Sequence, residues 1–166
     1  GLDGEAKALS PREVMVLAAE VRAKGDRKRG EEIFHRADLA CLTCHRLGNE
    51  GGVIGPDLNA IGTGQPIDFI IGAILTPNKE IKEGYLAFEV ASKDGEIYQG
   101  YKVRESNQEL VLRDVLQNQE VRLRTSNIQS QRALGSLMPA GLVNHLTGAE
   151  FRDLLRYLSE LGTPGR

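Results

Sequence analysis

The chain has 166 residues, of which 27% are charged, and its formal net charge is −2 at pH 7. This length can bury one sizeable core, or one core with a small satellite. The nearly balanced charge argues against a nucleic-acid partner, and no apolar run reaches the length of a membrane span.

The chain begins with a polar segment that is followed by a predicted helix. Gly1–Ala8 lacks the apolar stretch of a signal peptide. Ser10-Pro11-Arg12-Glu13 has the pattern of a capping box with proline in the first turn, which predicts a helix to about Lys24 that stops at Gly25. Met15 recurs at helical spacing with other apolar residues, so we expect it in the core.

Both cysteines of the chain lie in one short motif. A second helix is predicted from Asp26 to Arg36, and Cys41-Leu42-Thr43-Cys44-His45 follows it. C-x-x-C-H is the attachment signature of a c-type haem, in which the two thiols form thioethers with the haem and the adjacent histidine ligates the iron. The motif therefore predicts one covalently bound haem c, attached through Cys41 and Cys44 and ligated by His45.

Three other interpretations of the motif compete with haem. A disulfide or thioredoxin-like pair normally opens a helix after a buried strand, whereas here a predicted helix precedes the motif. A structural zinc site needs four cysteine or histidine ligands, usually in two clusters, and the sequence has no second cluster. Chance occurrence is the third interpretation, and the remaining pattern of the chain favours haem over it.

A glycine-rich loop follows the motif, with the sequence Gly51-Gly52-Val53-Ile54-Gly55-Pro56-Asp57-Leu58. Glycine permits close approach of the backbone to a flat ligand. A ligating histidine usually donates its other ring N–H to an acceptor, which fixes the ring's orientation. Pro56, through its backbone carbonyl, is the predicted acceptor for His45.

The period of the apolar pattern changes in the middle of the chain. A helix is predicted from Pro66 to Leu75, whereas from Gly84 to Arg124 apolar residues alternate with period two. Asp94-Gly95 has the composition of a hairpin turn. We expect four antiparallel strands and a fifth near Ile128, forming a small sheet or barrel. The predicted core of this sheet consists of Leu86, Phe88, Val90, Ile97, Tyr101, Val103, Leu110, Leu112, Val121 and Leu123.

The second iron ligand is sought among the two methionines of the chain. Met138 lies in a glycine-flanked segment directly before Pro139, which biases it towards extended backbone. An extended loop that projects a thioether suits His/Met ligation, so Met138 is the predicted ligand. A packing role is its alternative. His35 and His145 are rival ligands, although isolated histidines of this kind are more typical of surfaces and caps.

The last predicted helix opens with a second capping box, Thr147-Gly148-Ala149-Glu150, and ends at Gly162 and Pro164. It carries a wide apolar stripe, as expected for a helix that packs on a core. The stripe consists of Phe151, Leu154, Leu155, Tyr157, Leu158 and Leu161.

Taken together, these motifs resemble a class I cytochrome c. The matching residues are Gly30, Phe34, Cys41-x-x-Cys44-His45, Gly55-Pro56-Asp57-Leu58, Met138-Pro139 and Tyr157. More narrowly, Leu75–Tyr85 and Leu137–Leu142 resemble the planctomycete-type haem-binding domain, a cytochrome c with a β insertion. The resemblance covers roughly residues 26–161.

The resemblance implies a mainly α cytochrome c core with an inserted small antiparallel β sheet or barrel, an α+β arrangement. The cytochrome core is expected in residues 26–76 and 133–166, the β-rich insertion in 77–132, and a helical extension in 1–25. It also implies His45 and Met138 as axial ligands, with the Pro56 carbonyl as partner of His45. Gly30 and Phe34 are expected to pack against Leu154 and Tyr157.

The expected function is single-electron transfer between exported redox partners, an exported dehydrogenase among them. His/Met ligation closes both axial positions, so the iron cycles between two oxidation states without activating oxygen. No constellation suggests an enzyme. Because this type of haem attachment takes place outside the cytoplasm, we expect a periplasmic or otherwise exported protein, or a domain of a longer one. The alternatives are a haem-based sensor with a labile methionine ligand and a partner-docking module built on the β block.

Overall fold

The first helix, α1 (Pro11–Lys24), begins and ends where the sequence predicts. In the computed structural model, which describes residues 8–165, the Ser10 hydroxyl accepts a hydrogen bond from the Glu13 N–H, and the Glu13 carboxylate accepts one from the Ser10 N–H. Gly25 is the C-cap. The predicted capping box is therefore confirmed; residues 1–7 of the expected extension lie outside the described residues.

The other predicted helices are also present. Asp26 caps the second helix by accepting a hydrogen bond from the Arg29 N–H, and Thr147 forms the predicted capping box with Glu150. Two single-turn helices and a two-residue hairpin were not predicted. The elements are α2 (Arg27–Phe34), α3 (Cys41–Cys44), β1 (Arg46–Leu47), β2 (Glu50–Gly51), α4 (Ile61–Gly64), α5 (Ile67–Leu75) and α6 (Gly148–Glu160).

Helices α2 and α6 pack closely, as the sequence predicts. The Phe34 and Tyr157 rings lie 5.6 Å apart between centroids and are tilted by 55°. A Cβ atom at Gly30 would overlap the backbone carbonyl of Asp153, so only glycine permits this approach. The buried Asp153 carboxylate accepts a hydrogen bond from the Asp26 N–H at 3.0 Å. The start of α2 is thereby fixed to α6.

Helix α1 shares one hydrophobic core with the helices that follow it. Ala18 and Val21 of α1 are buried in this core. Met15 lies on another face of α1 and is 73% exposed, so its predicted core position is wrong. Viewed down the helix axis, Met15 lies about 90° from the middle of the stripe that Ala18 and Val21 form, so its side chain does not face the core. The other buried members are Ile33, Phe34, Leu39, Ile70, Ile71, Ile74, Val143, Leu154, Leu155, Tyr157, Leu158 and Leu161.

The predicted alternating segment forms four strands, and a fifth strand follows it. They form one antiparallel sheet in the order β6-β5-β4-β3-β7, so the fifth strand near Ile128 is present. The strands are β3 (Ala87–Ser92), β4 (Ile97–Glu105), β5 (Glu109–Asp114), β6 (Gln119–Arg124) and β7 (Ile128–Gly135).

The expected fold class, a mainly α core with a small inserted sheet, is wrong. Residues 8–165 contain seven strands, five of them in one sheet, and the helices have only four to 14 residues. The sheet has its own buried core of Val90, Leu110, Leu112 and Leu123. The fold is α+β because the alternating segment buries enough apolar side chains to form a second core, rather than decorating a helical one.

The predicted sheet core is only partly correct, and β4 explains the error. Tyr98 lies opposite Val90 in the strand register, so Tyr98 packs against the core and Ile97 faces the other side. Ile97 is 66% exposed. A register shift between Lys102 and Arg104 interrupts the alternation further along the strand, where Val103 is exposed. Leu86 is exposed as well, and the fully buried Val111 was missed.

The described chain divides into two compact units. One comprises the residues up to Glu80 together with those from Met138 onward, and the other comprises Ile81–Leu137. We call them the helical unit and the sheet unit. The longest helix has 14 residues, and none within residues 8–165 has the length and apolar character that a membrane crossing requires.

Candidate functional site

The cysteine motif occupies one tight helical turn of the helical unit. Ala40 adopts a left-handed backbone conformation, with φ 52°, just before α3. The His45 N–H donates to the Cys41 carbonyl at 2.9 Å, which closes the turn. Both thiols are reduced and half-buried. The turn thus places the two thiols and the imidazole in a short, hydrogen-bonded stretch of backbone.

The glycine-rich loop folds back over this turn. The Gly52 N–H donates to the Leu42 carbonyl at 2.9 Å, and the Gly55 N–H donates to the Cys44 carbonyl at 2.8 Å. A Cβ atom at Gly55 would lie 2.7 Å from Cε1 of the His45 ring. Gly52 and Gly55 thus approach the cysteine motif and the imidazole closely, and they position His45.

The His45 ring is fixed by one backbone acceptor. Its Nδ1 atom lies 2.7 Å from the Pro56 carbonyl oxygen. Because a carbonyl can only accept, Nδ1 carries the proton in this hydrogen bond, and Nε2 keeps its lone pair. Burial lowers the pKa of His45, and the hydrogen bond to Pro56 opposes this effect in part. The ring is therefore neutral at pH 7, which is the form that binds a metal ion.

An apolar cavity connects three of the predicted site residues. His45 and Met138 are 93 positions apart in the chain, yet both line this cavity together with Cys41. These three are its only lining residues with a side-chain nitrogen or sulfur atom. Cys44 and Pro56 do not line it. The remaining lining residues are Phe34, Leu58, Ile61, Phe69, Ile70, Ala73, Ile74, Leu142, Val143, Leu154 and Leu158.

The donor residues and the apolar walls of the cavity suit a ligated haem, whereas the cavity is too small to enclose a whole haem. Its volume is about 100 Å³, below the roughly 300–1,000 Å³ of pockets that enclose most of a small ligand. A macrocycle bound here would leave an edge in solvent or displace lining side chains. Met138 belongs to residues 136–147, which form turns without helix or strand, so this wall can move most easily.

The two rival histidines make other contacts. His35 is the C-cap of α2, and its Nδ1 lies 2.8 Å from the Glu31 carbonyl oxygen. The Nε2 atom of His145 lies 2.7 Å from Oδ2 of Asp38. Neither histidine lines the cavity, so their surface and capping interpretation fits their positions.

The electrostatics of the two thiols disfavour thiol–disulfide chemistry. Burial raises the pKa of the Cys41 thiol to about 11 and also raises the pKa of Cys44. Reactive thiols have lowered pKa values instead, because the thiolate is the nucleophile.

Within residues 8–165, no group of three or more histidine, cysteine, aspartate or glutamate side chains is arranged to hold a metal ion. A zinc site at the motif therefore has no support.

No protein-family model matches the chain, and no curated protein matches it in sequence. The interpretation of the site therefore depends on its own geometry.

Sequence reasoning missed one hydrogen-bonded group at the surface of the helical unit. Arg36, Asp38, His145 and Glu150 form a connected set of hydrogen bonds at the surface of the helical unit. Their only sequence signal is the capping box that contains Glu150. The contacts of Arg36 and Asp38 with the distant residues 145 and 150 arise from the tertiary packing of α2 on α6.

Proposed function

We propose that the chain is a c-type cytochrome domain that carries single electrons through one covalently bound haem. The observation that carries the proposal is the convergence of Cys41, His45 and Met138 on one apolar cavity, directly at a C-x-x-C-H motif. In this proposal Cys41 and Cys44 would hold the haem as thioethers, and His45 and Met138 would ligate its iron. When bound, the haem supplies an iron that alternates between the ferrous and ferric states.

The chain's own residues prepare this chemistry in several ways. Burial favours the neutral form of the His45 ring, and the hydrogen bond to the Pro56 carbonyl keeps the proton on Nδ1, so Nε2 is available. Met138 offers a neutral thioether, and the apolar lining excludes water from the vicinity of the iron. Neutral ligands in surroundings of low dielectric favour the ferrous state and raise the reduction potential. With His45 and Met138 both bound to the iron, external ligands would have no open position.

The same proposal sets the location and the partners. Because haem attachment to this motif takes place outside the cytoplasm, we propose a periplasmic or otherwise exported protein. Its partners are redox proteins that donate and accept one electron, and an exported dehydrogenase is one candidate. The resemblance of the motifs to class I cytochromes c and to the planctomycete-type haem-binding domain supports this assignment.

A haem-based sensor is the second candidate. It is favoured by the irregular backbone around Met138, which forms turns between the last strand and α6. A ligand from such a segment can leave the iron at lower cost than one from a regular element. Carbon monoxide binding to the reduced protein separates the two functions: fast binding at neutral pH supports a sensor, and slow binding supports an electron carrier.

Expression in a host competent in cytochrome maturation tests the proposal. Mass spectrometry of the denatured protein should give the polypeptide plus one haem, and a variant with Cys41→Ala and Cys44→Ala should give the polypeptide alone. A bare polypeptide mass for the unmodified protein from that host would contradict haem attachment.

The second ligand is tested with the two methionines as a matched pair. Met138→Ala should remove the methionine-to-iron absorption band at the red edge of the ferric spectrum and lower the reduction potential. Met15→Ala should leave both unchanged, because Met15 is exposed on α1. If both variants keep the band, Met138 is not the ligand.

A further inference from the structure

A chain of charged and hydrogen-bonded side chains lies at the surface of the helical unit. The Arg36 guanidinium binds the Asp38 carboxylate twice, Nε to Oδ1 at 3.0 Å and Nη2 to Oδ2 at 2.7 Å. Its Nη1 donates to Oε1 of Glu150 at 3.1 Å. Oδ2 of Asp38 also lies 2.7 Å from Nε2 of His145. Asp38 is thus the shared acceptor of Arg36 and His145.

These four residues connect three parts of the helical unit. Arg36 and Asp38 belong to the short connection between α2 and Cys41. His145 belongs to the segment that starts with Met138, and Glu150 to the first turn of α6. The Asp38–His145 hydrogen bond therefore links the stretch that leads into the cysteine motif with the stretch that carries Met138.

Apolar and backbone contacts also hold the Met138 segment. On its inner side, Val143 is buried in the core and Leu146 packs against it. Two short hydrogen bonds, from Asn144 N–H to Gly141 O and from Leu146 N–H to Val143 O, shape its turns at 3.0 Å. The His145 side chain attaches the outer side of the segment to another part of the chain. Removing that attachment leaves the buried anchor in place but gives the backbone more freedom to rotate about it.

Charged hydrogen bonds hold Asp38, the partner of His145, in a fixed orientation. Hydrogen bonds, chiefly from Arg36 and less from His145, hold the pKa of the Asp38 carboxyl well below its usual range. Asp38 is thus a carboxylate at neutral pH, and Arg36 fixes its orientation in a two-point hydrogen bond. Asp38 therefore presents a preoriented acceptor to His145.

We propose that His145, held by Asp38 and Arg36, is a positioning residue for Met138: the hydrogen bond fixes the methionine segment relative to the cysteine motif and so keeps the thioether on the iron. The inference rests on the proposed function, in which Met138 is the axial ligand. The contact is half-exposed, and exposed pairs of this kind contribute little to global stability. A small bias between two arrangements of one segment nevertheless changes their populations several-fold.

The test compares His145→Ala with the matched control His35→Ala in the haem-loaded protein. The two histidines have similar side-chain exposure, 47% and 41%, but only His145 lies in the Met138 segment. We expect His145→Ala to weaken the red-edge methionine band and to accelerate carbon monoxide binding to the reduced protein several-fold. His35→Ala should match the parent, and His145→Gln, which retains a donor for Asp38, should recover most of the parent behaviour.

Two further variants make the outcome decisive. Asp38→Ala should have an effect similar to that of His145→Ala, and the double variant should be no worse than either single one, because both remove the same hydrogen bond. The positioning role is refuted if His145→Ala leaves the band and the carbon monoxide rate unchanged while Met138→Ala abolishes the band. If Met138→Ala also has no effect, methionine ligation itself has failed, and the positioning role fails with it.

Discussion

His45 and Met138 line the same cavity, but the backbone around each is held by a different kind of contact. The His45 region is a closed turn covered by a glycine loop, with backbone hydrogen bonds to Cys41, Leu42 and Cys44. The Met138 region has turns only, and it is attached through the buried Val143 and the surface residue His145. Backbone hydrogen bonds between the turn and the loop thus place His45, whereas side-chain contacts with other elements place the turns around Met138, and we expect the second region to be the more adjustable one.

Removal of the shared support is expected to have the largest effect on both regions. Phe34 is 1% exposed, contacts Tyr157 and lines the cavity. Phe34→Ala should lower the free energy of unfolding by about 3–5 kcal/mol, because it leaves a cavity between α2 and α6. Urea denaturation is the measurement, with Met15→Ala as the exposed control, expected within about 0.5 kcal/mol of the parent. A loss below about 1 kcal/mol for Phe34→Ala would mean that the ring is not a core residue.

The rigid region is tested at Gly55. A Cβ atom there would lie 2.7 Å from the His45 ring, so Gly55→Ala should displace the ring from the Pro56 carbonyl and cost about 1–3 kcal/mol. Gly64→Ala is the control, because nothing lies within 4 Å of a Cβ at that position. NMR of the His45 ring protons and urea denaturation report the two effects. Equal behaviour of the two variants would show that the loop does not position the imidazole.

The adjustable region is tested at its buried anchor. Val143 is 7% exposed, and Val143→Ala should cost about 1–2 kcal/mol through lost burial. It should also increase hydrogen exchange in residues 139–147 more than in residues 41–55, because only the first stretch depends on this side chain. Asn144→Ala, at an exposed neighbouring position, should change neither quantity. Equal acceleration in both stretches would remove the contrast between the two regions.

The smallest expected effect is a pH dependence that arises at Asp38. Its pKa in the folded protein lies below the usual 3.8, chiefly because of the hydrogen bond from Arg36. The stabilisation is therefore complete above about pH 4 and disappears as the pH falls through the lower folded value. The urea midpoint of the parent should fall more steeply than that of Asp38→Asn between about pH 5 and pH 2. Parallel curves would show that the carboxylate makes no specific contribution.

Local sequence signals predicted the helices and strands well, but not which faces of them are buried. Capping boxes at Ser10 and Thr147 fix helix starts through contacts within four residues, so they are readable from the sequence. The exposed faces of Met15 and Ile97 depend on which neighbour covers each element, and periodicity alone cannot supply that. The same holds for the membership of the sheet's core, because the strand register decides that Tyr98 rather than Ile97 packs in it.

The donor residues of the candidate site could be selected from the sequence, whereas the contacts that hold them in place could not. The donor residues stand in a recognisable motif or beside a proline, so Cys41, His45 and Met138 could be selected from the sequence. The role of Gly55 against the imidazole and the hydrogen bond between Asp38 and His145 depend on the path of the loop and on the packing of α2 against α6. Such contacts between distant positions leave no local pattern.

The helical unit consists of two separate parts of the chain, and these parts are synthesised at different times. In the sequence, the whole sheet unit separates Phe34 in α2 from its partner Tyr157 in α6. Strands β3 to β6 pair with their neighbours along the chain, and β7 pairs with β3. In the proposed exported location, the chain emerges from the membrane with its N-terminus first, so the sheet can fold while α2 still lacks the helix that packs against it. During this interval Cys41 also lacks Leu154 and Leu158 of α6, which line the cavity with it and contribute to the burial that raises the pKa of its thiol. The Cys41 thiol is therefore most accessible to a modifying enzyme before the last helix packs against α2.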